Sequence, residues 1–245
     1  MRRIFLVLMM GIFQIGLSLF LFPVWNGIMV NQQIGETTQN FQSTIQTQPV
    51  ETTEAEPNQE RRPYARLWEA MQAYNAQLFE EGQIQLDSPQ DYTVPSFSLK
   101  EYGLKEDVFG VISIPAIHVE MPIYLGATES HLAAGAAHLS QTSLPIGGEN
   151  TNCVIAGHRG WNGFPYFRFI PDLKPGDTVI IQNPWETLEY EVAETKIIAP
   201  NDIEEIHIQE GRELLTLLTC HPYASGGKQR YLVICERVNQ EEVYG

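Results

Sequence analysis

From Val108 onward the chain is cut by Gly, Pro, Asp and Asn into short apolar runs: VISIP, HVEMPIY, NCVIAGH, DTVIIQN, LEYEVAETKII, ELLTLLTC and RYLVICERV. Runs of this length, rich in Val, Ile, Thr and Tyr and ended by turn formers, read as strands. A lone hairpin is marginal in water, so seven or eight such strands must bury their apolar faces against one another. The pattern predicts a mainly β domain over residues 108–245, either a closed barrel or a sandwich. Two short helices are expected to interrupt it, at Glu129 to Ala137 and near Pro165 to Ile170. A chain of 245 residues, 43% of them hydrophobic, is long enough for one sizeable core.

The N-terminal part obeys a different rule. After Arg2 and Arg3 no charge occurs from Ile4 to Val30, a run longer than the ~20 residues a helix needs to cross hydrocarbon. A cleaved signal peptide would have a shorter apolar core and a small-residue cleavage site, and NGIMVNQQ offers no A-x-A pattern. The run reads as an uncleaved anchor over residues 1–30, with Arg2 and Arg3 placing the N-terminus inside and the rest outside. No second stretch of spanning length follows before Gly245, so a single pass is expected. From Asn31 to Glu60 the chain is rich in Gln and Thr, with acids but no bases, and poor in large apolar residues. That composition reads as a flexible stalk over residues 31–60.

Between stalk and strands, Arg61 to Glu81 carries Tyr64, Leu67, Trp68, Met71, Tyr74, Leu78 and Phe79 at helical spacing, and Gly82 ends the run. This amphipathic helix needs a partner surface, and the strand domain is the only large one. Gln83 to Asp107, broken by Pro89 and Pro95, reads as loop, so residues 61–107 form a helix followed by a segment that could cross a cleft.

The formal net charge of −15 argues against nucleic acid or an anionic lipid surface as partner and is compatible with a lysine-bearing one. Three cysteines, Cys153, Cys220 and Cys235, lie in the outer portion, where disulfides persist, and an odd count leaves at least one thiol unpaired in the chain. Cys153 and Cys235 could be bridged or be two buried thiols. No CxxC or paired Cys/His spacing occurs, so no metal site is expected.

Among six histidines, His118, His131, His138, His207 and His221 have no motif around them and read as packed or solvated. His158 differs, because NCVIAGHRG runs an apolar strand into a glycine-flanked strand end. Cys220 also closes a strand, TLLTC, with Pro222 just beyond it, and Arg230 opens the strand that follows a loop containing Gly226 and Gly227. A thiol needs a base or cation to act as the attacking thiolate, and a histidine from another strand supplies one. An arginine beside the thiol can stabilise the charge that develops on an attacked carbonyl oxygen. From spacing alone, a Cys/His/Arg site and a merely packed cysteine both remain open.

The ordered set GHRG, TLLTC and RYLV resembles the sortase family of Gram-positive bacteria, cysteine transpeptidases built on an eight-stranded β-barrel. FGVISIPAI, MPIYLGA, HLSQTSLPIGG, CVIAGHRG, LKPGD and TLLTCHPY are similar to blocks of its class C, pilin-building branch, so the resemblance covers most of Val108 to Val238. It implies that His158 is the catalytic histidine, Cys220 the nucleophile and Arg230 the catalytic arginine, with Arg159 as the rival arginine. Thr219 corresponds to a threonine that helps shape the substrate site. No cofactor is implied. The implied activity is cleavage of an LPxTG-like sorting signal through a thioacyl intermediate and transfer to an amine, for pilus assembly or for anchoring to a cell-wall precursor. Implied partners are sorting-signal-bearing surface or pilin proteins, the acceptor amine and the membrane. The competing class is a noncatalytic adhesion or scaffold domain on a stalk.

Three features depart from the class C pattern. The loop from Cys220 to Arg230 is one residue longer, and His221 stands where a threonine is commoner. The expected lid motif, Asp-Pro-aromatic, is replaced by LDSPQDY, Leu86 to Tyr92.

Overall fold

The protein is described by a computed structural model that covers residues 2–46, 62–87, 91–104 and 107–238. The seven expected strands are present: β1 (Val108–Ile114), β2 (Val119–Leu125), β4 (Thr151–Ala156), β5 (Thr178–Gln182), β6 (Thr187–Ile198), β7 (Glu213–His221) and β8 (Gln229–Arg237). An eighth, β3 (Ala136–His138), lies where the sequence reads as the end of a helix. The short helix there, α3 (Glu129–Ala134), stops two residues before it. The chain then turns at Gly135, where any Cβ would meet the Pro122 carbonyl oxygen at 2.5 Å. The helix expected near Pro165 to Ile170 is instead a series of turns leading into a 3-10 turn at Ile170–Asp172.

The strands close into a barrel in the order β1-β2-β3-β4-β7-β8-β6-β5, sealed by the β1–β5 pair. This settles the choice between barrel and sandwich. Its interior is filled by alternate residues of the strands, among them Ile112, Ile114, Met121, Ile155, Val179, Leu215, Leu217 and Val233. Burying each such side chain stabilises the fold by roughly 1.5–3 kcal/mol, and closure removes the unpaired edges an open sheet would expose.

Cys153 and Cys235 both face this interior, and both are paired in register with Leu215, from opposite sides. Strands are spaced ~4.8 Å apart, so the two cysteine Cα atoms lie two spacings apart, beyond the ~7 Å that a disulfide can bridge. All three cysteines are free thiols. Burial pushes the Cys153 thiol far up and that of Cys235 up to about 12, so both stay protonated.

The amphipathic helix forms as α2 (Ala65–Glu80). Leu67 and Met71 are fully buried against Phe109, Leu125 and Leu144 on the outside of the barrel. Asn75 shares that face because the Leu144 N–H donates to its Oδ1 at 2.8 Å, while Phe79 turns partly to solvent.

The stalk expected from Asn31 is corrected over its first half. Helix α1 runs without interruption over Arg2–Gln46, long and apolar enough near its start to cross a membrane. Ile34, Thr38 and Phe41 are buried and Ile45 is half-buried, so residues spaced by four, three and four make a stripe that docks on the barrel. Phe41 and Ile45 pack with Val108, Val111 and Tyr124, and Gln42 Nε2 donates to Glu120 Oε1 at 3.1 Å. Sparse apolar residues suffice because their spacing puts them on one face. The rest of the expected stalk, residues 47–60, lies outside the described residues.

His138 is completely buried at the β3 end, where its Nε2–H is shared between the Ser143 carbonyl and Thr142 Oγ1. Its Nδ1 is buried without a partner among the described residues, so protonation would bury an unpaired charged N–H, and desolvation lowers its pKa to about 4. The unfolded chain takes up this proton near pH 6.5, whereas the folded chain does so only near 4. The stability contribution is therefore full above pH 6.5 and is lost as pH falls toward 4. Urea unfolding of the detergent-solubilised protein should show His138→Gln losing about 2 kcal/mol less than wild type between pH 7.5 and pH 5. Parallel pH dependences in the two proteins would contradict this.

Candidate active site

Strands β4 and β7 are parallel, with Ile155 opposite Leu217 and Ala156 opposite Leu218, so they finish on the same side of the barrel. The pairing extends one step further, where the Gly157 N–H donates to the Leu218 carbonyl at 3.0 Å. The next residues along the two strand ends are His158 and, past Thr219, Cys220. Strand β8 returns antiparallel and sets Arg230 directly opposite Cys220. Three neighbouring strands thus bring His158, Cys220 and Arg230 to one end of the barrel.

Side-chain direction follows from the pleat. Leu215 and Leu217 point inward, so Leu218 and Cys220 point outward, and Cys220 is exposed. Arg230 shares the outward face with Leu232 on β8. Leu218 and Leu232 lie in a mostly buried apolar cluster with Ala156, Ile198, Ile203 and Leu86, on the outward face of the strands that carry the thiol.

Thr219 points the other way. It is buried, and its Oγ1 donates to the Gly157 carbonyl at 2.8 Å. Alternation turns its side chain inward, where it straps the end of β7 to the end of β4.

The loop between β7 and β8 folds back over the thiol. Arg230 Nη1 donates to the Gly227 carbonyl at 2.8 Å. Gly227 has φ +79, and a Cβ there would fall 3.1 Å from Arg230 Nη1 and 3.3 Å from Cys220 Sγ. Guanidinium and sulfur therefore converge on one spot that only glycine leaves open.

The His158 ring is stacked on Trp161 with centroids 5.2 Å apart and meets the Tyr166 ring edge-on at 5.8 Å. Its carbonyl accepts from the Phe167 N–H at 2.9 Å, which fixes the loop. Partial burial holds its pKa below the ordinary histidine value, so the ring is neutral at neutral pH and able to accept a proton. Arg159 lies behind the strand end. Its Nη1 donates to the Cys220 carbonyl at 3.3 Å and to His221 Nδ1 at 2.6 Å. Of the two candidate arginines, Arg230 is beside the sulfur and Arg159 is beside the backbone.

Gly227, Trp161 and the Arg159–His221 pair have no separate signature in the sequence. The closeness of GG to the arginine, and of Trp161 to GHRG, is the sole signal that points to them. The expected lid segment is described at its ends: Leu86 is fully buried, the Tyr92 hydroxyl donates to the Leu86 carbonyl at 2.5 Å, and the Ala127 N–H donates to the Tyr92 carbonyl at 2.9 Å. Residues 88–90 of LDSPQDY lie outside the described residues. Among the described residues no group of three or more His, Cys, Asp or Glu side chains could hold a metal.

A family model described as the Sortase domain matches residues 112–238. Sortase D of Bacillus subtilis (strain 168) is 32% identical over 131 residues, 53% of this chain, and the match spans 63% of that relative's length. Among solved structures, sortase C1 of GBS pilus island 1 superposes with a TM-score of 0.70 at 28% identity, covering 84% of this chain and 92% of that one. A Clostridium perfringens sortase C solved with the C-terminal cell wall sorting motif superposes with a TM-score of 0.66 at 30% identity, covering 83% and 98%.

Gly227→Ala should lower kcat/KM at least tenfold, because its methyl group enters the space shared by Arg230 and Cys220. Gly226→Ala carries the same left-handed backbone strain, about 1–2 kcal/mol, but meets nothing within 4 Å and should lose little activity. Steady-state kinetics and thermal melts of the two variants separate obstruction from strain, and equal losses would contradict the obstruction.

Proposed function

We propose, for a chain that belongs to the sortase family of cysteine transpeptidases, that Cys220 is the nucleophile, His158 the proton carrier and Arg230 the oxyanion donor of a membrane-anchored enzyme. The observation that carries this reading is the convergence of an exposed thiol and a guanidinium on one spot, at a strand end next to the one that carries a neutral histidine. A scaffold domain has no use for that arrangement, since Cys153 and Cys235 show how this chain treats cysteines that merely pack: both are buried and held protonated.

The substrate is an LPxTG-like sorting signal. Neutral His158 takes the thiol proton, and the Cys220 sulfur attacks the threonine carbonyl carbon. The Arg230 guanidinium donates to the carbonyl oxygen as it gains charge, a kind of interaction whose loss typically costs about 10²–10³ in rate. As the intermediate collapses, the bond from threonine to glycine breaks, and His158 returns its proton to the leaving glycine amine. The product is a thioester between Cys220 and threonine. An amine then attacks that carbonyl, the Cys220 sulfur leaves, and an amide forms. The amine must arrive neutral, and His158 accepts the proton it sheds.

Leu218, half-buried on the face that carries Cys220, offers an apolar contact to the leucine or proline of such a signal. Helix α1 anchors the enzyme, with the N-terminus inside and the barrel outside, as Arg2 and Arg3 dictate. The likeness to structures from pilus-related sortases supports a pilin lysine as the acceptor, and the amino group of a cell-wall precursor is the second acceptor class.

Incubating the protein with sorting-signal peptides, with and without amines, and weighing the products tests the reading. Wild type should yield an amide adduct whose share rises with amine concentration. Cys220→Ala should yield nothing, and Arg230→Lys should lose at least about 10²-fold, because an ammonium cannot replace the planar donor pair. Cleavage to the free acid alone at every amine concentration would make the protein a peptidase, and turnover by Cys220→Ala would remove the mechanism.

A further inference from the structure

Each residue of helix α1 from Ile4 to Trp25 is exposed, about 33 Å of helix at 1.5 Å per residue, against a hydrocarbon core of about 30 Å. The barrel meets the helix where that exposed stretch ends. Asn26 Nδ2 donates to the Asn162 carbonyl at 3.0 Å, and a Cβ on Gly27 would fall 2.6 Å from the Gly163 carbonyl oxygen. Two glycines, one on the helix and one in the loop after His158, thus let the backbones touch. The loop is pinned there by the mutual backbone hydrogen bonds of Trp161 and Phe164.

The surface around this contact has an unusual composition. Trp161 and Tyr223 are each 51% exposed and Phe169 is 42% exposed. Arg168 spans them, with its guanidinium 4.5 Å from the Tyr223 ring centroid and 5.6 Å from that of Phe169. Gly160 packs between Tyr223 and Arg168, which joins the patch to Trp161. Tryptophan, tyrosine and arginine are the residues that settle at a bilayer's water interface.

We infer that the loop Trp161–Phe164 rests on the outer membrane interface, with Trp161 and its aromatic neighbours in the headgroup layer, so that the candidate active site opens at the lipid surface. This rests on the membrane-anchored reading above. The partner is the bilayer surface itself, recognised by aromatic insertion and not by charge, because the chain's net charge of −15 opposes attraction to anionic lipid. The His158 ring, 5.2 Å from that of Trp161, then lies one ring's distance from the headgroups. A substrate presented at the membrane surface reaches it without rising into bulk water.

The full chain in phosphatidylcholine vesicles tests the inference through quenching by lipids brominated near the headgroup. The protein has four tryptophans, so the fluorescence missing in Trp161→Phe is that of Trp161. That component should fall at least twofold in brominated lipid, equally at low and high salt, whereas the component missing in Trp185→Phe should not change. Gly27→Ala, which separates helix and loop, should restore at least half of the lost Trp161 signal. Gly16→Ala, with nothing within 4 Å of its Cβ, should leave the quenching intact. Extraction at alkaline pH reads anchoring separately. A chain that stays with the vesicles while Trp161 is no more quenched than Trp185 overturns the docking and leaves the anchor standing. A chain that is extracted overturns both.

Discussion

The candidate catalytic face depends on the register of β7 between its two neighbours. Because side chains alternate with a period of two, a slip of one residue would turn Cys220 into the barrel and Thr219 out of it. Several contacts forbid the slip. Leu215 and Leu217 fill the interior with Ile155 and Val233, while Thr216 on the other face donates to Asn152 Oδ1 at 2.9 Å, completely buried. Asn152 in turn donates to the His207 carbonyl, which ties the β4–β7 pair to the loop preceding β7. Thr219 then closes the pair at its far end through the Gly157 carbonyl. Packing fixes the face that Cys220 occupies, and hydrogen bonding fixes its height.

Chemistry follows from that placement with little additional machinery. The parallel β4–β7 pair delivers histidine and cysteine at the same end, and the antiparallel β8 delivers the arginine, so no long loop has to find its position. The loops that do contribute are held at their backbones: the histidine loop by Phe167, and the β7–β8 loop by the carbonyl of Gly227 on Arg230. Arg159 adds a brace from the histidine loop to the Cys220 carbonyl across 61 residues of sequence. A strained or displaced member of this set would misplace the thiol by a fraction of an ångström, which is enough to cost rate.

Much of this is legible in the order of the amino acids. Short apolar or alternating runs bounded by turn formers announce seven strands, because each buries at least one face in the barrel. Strand β3 escapes such a reading because Ala136 and Ala137 carry no strand signal, and its pairing is imposed by β2 and β4. The helical half of the expected stalk escapes it for the opposite reason: composition averaged over the whole segment hides a stripe of apolar residues. At the site, His158, Cys220 and Arg230 are visible as strand-end residues whose chemistry fits together. The inward turn of Thr219 is not, because it depends on which residue of β7 begins the alternation. The resemblance ranks Arg230 ahead of Arg159, and the register gives the physical reason by setting Arg230 beside sulfur and Arg159 beside backbone.

The central claim is that the exposed thiol of Cys220 carries the acyl group between donor and acceptor. Its most direct test is intact-mass and fragment-mass measurement of the full chain quenched in acid within the first turnovers of a sorting-signal peptide. The account predicts an adduct equal to the peptide's acyl portion up to and including threonine, located on Cys220, and discharged when an amine is added. An adduct on another residue, or turnover with no acyl-enzyme at any time or amine concentration, would contradict it.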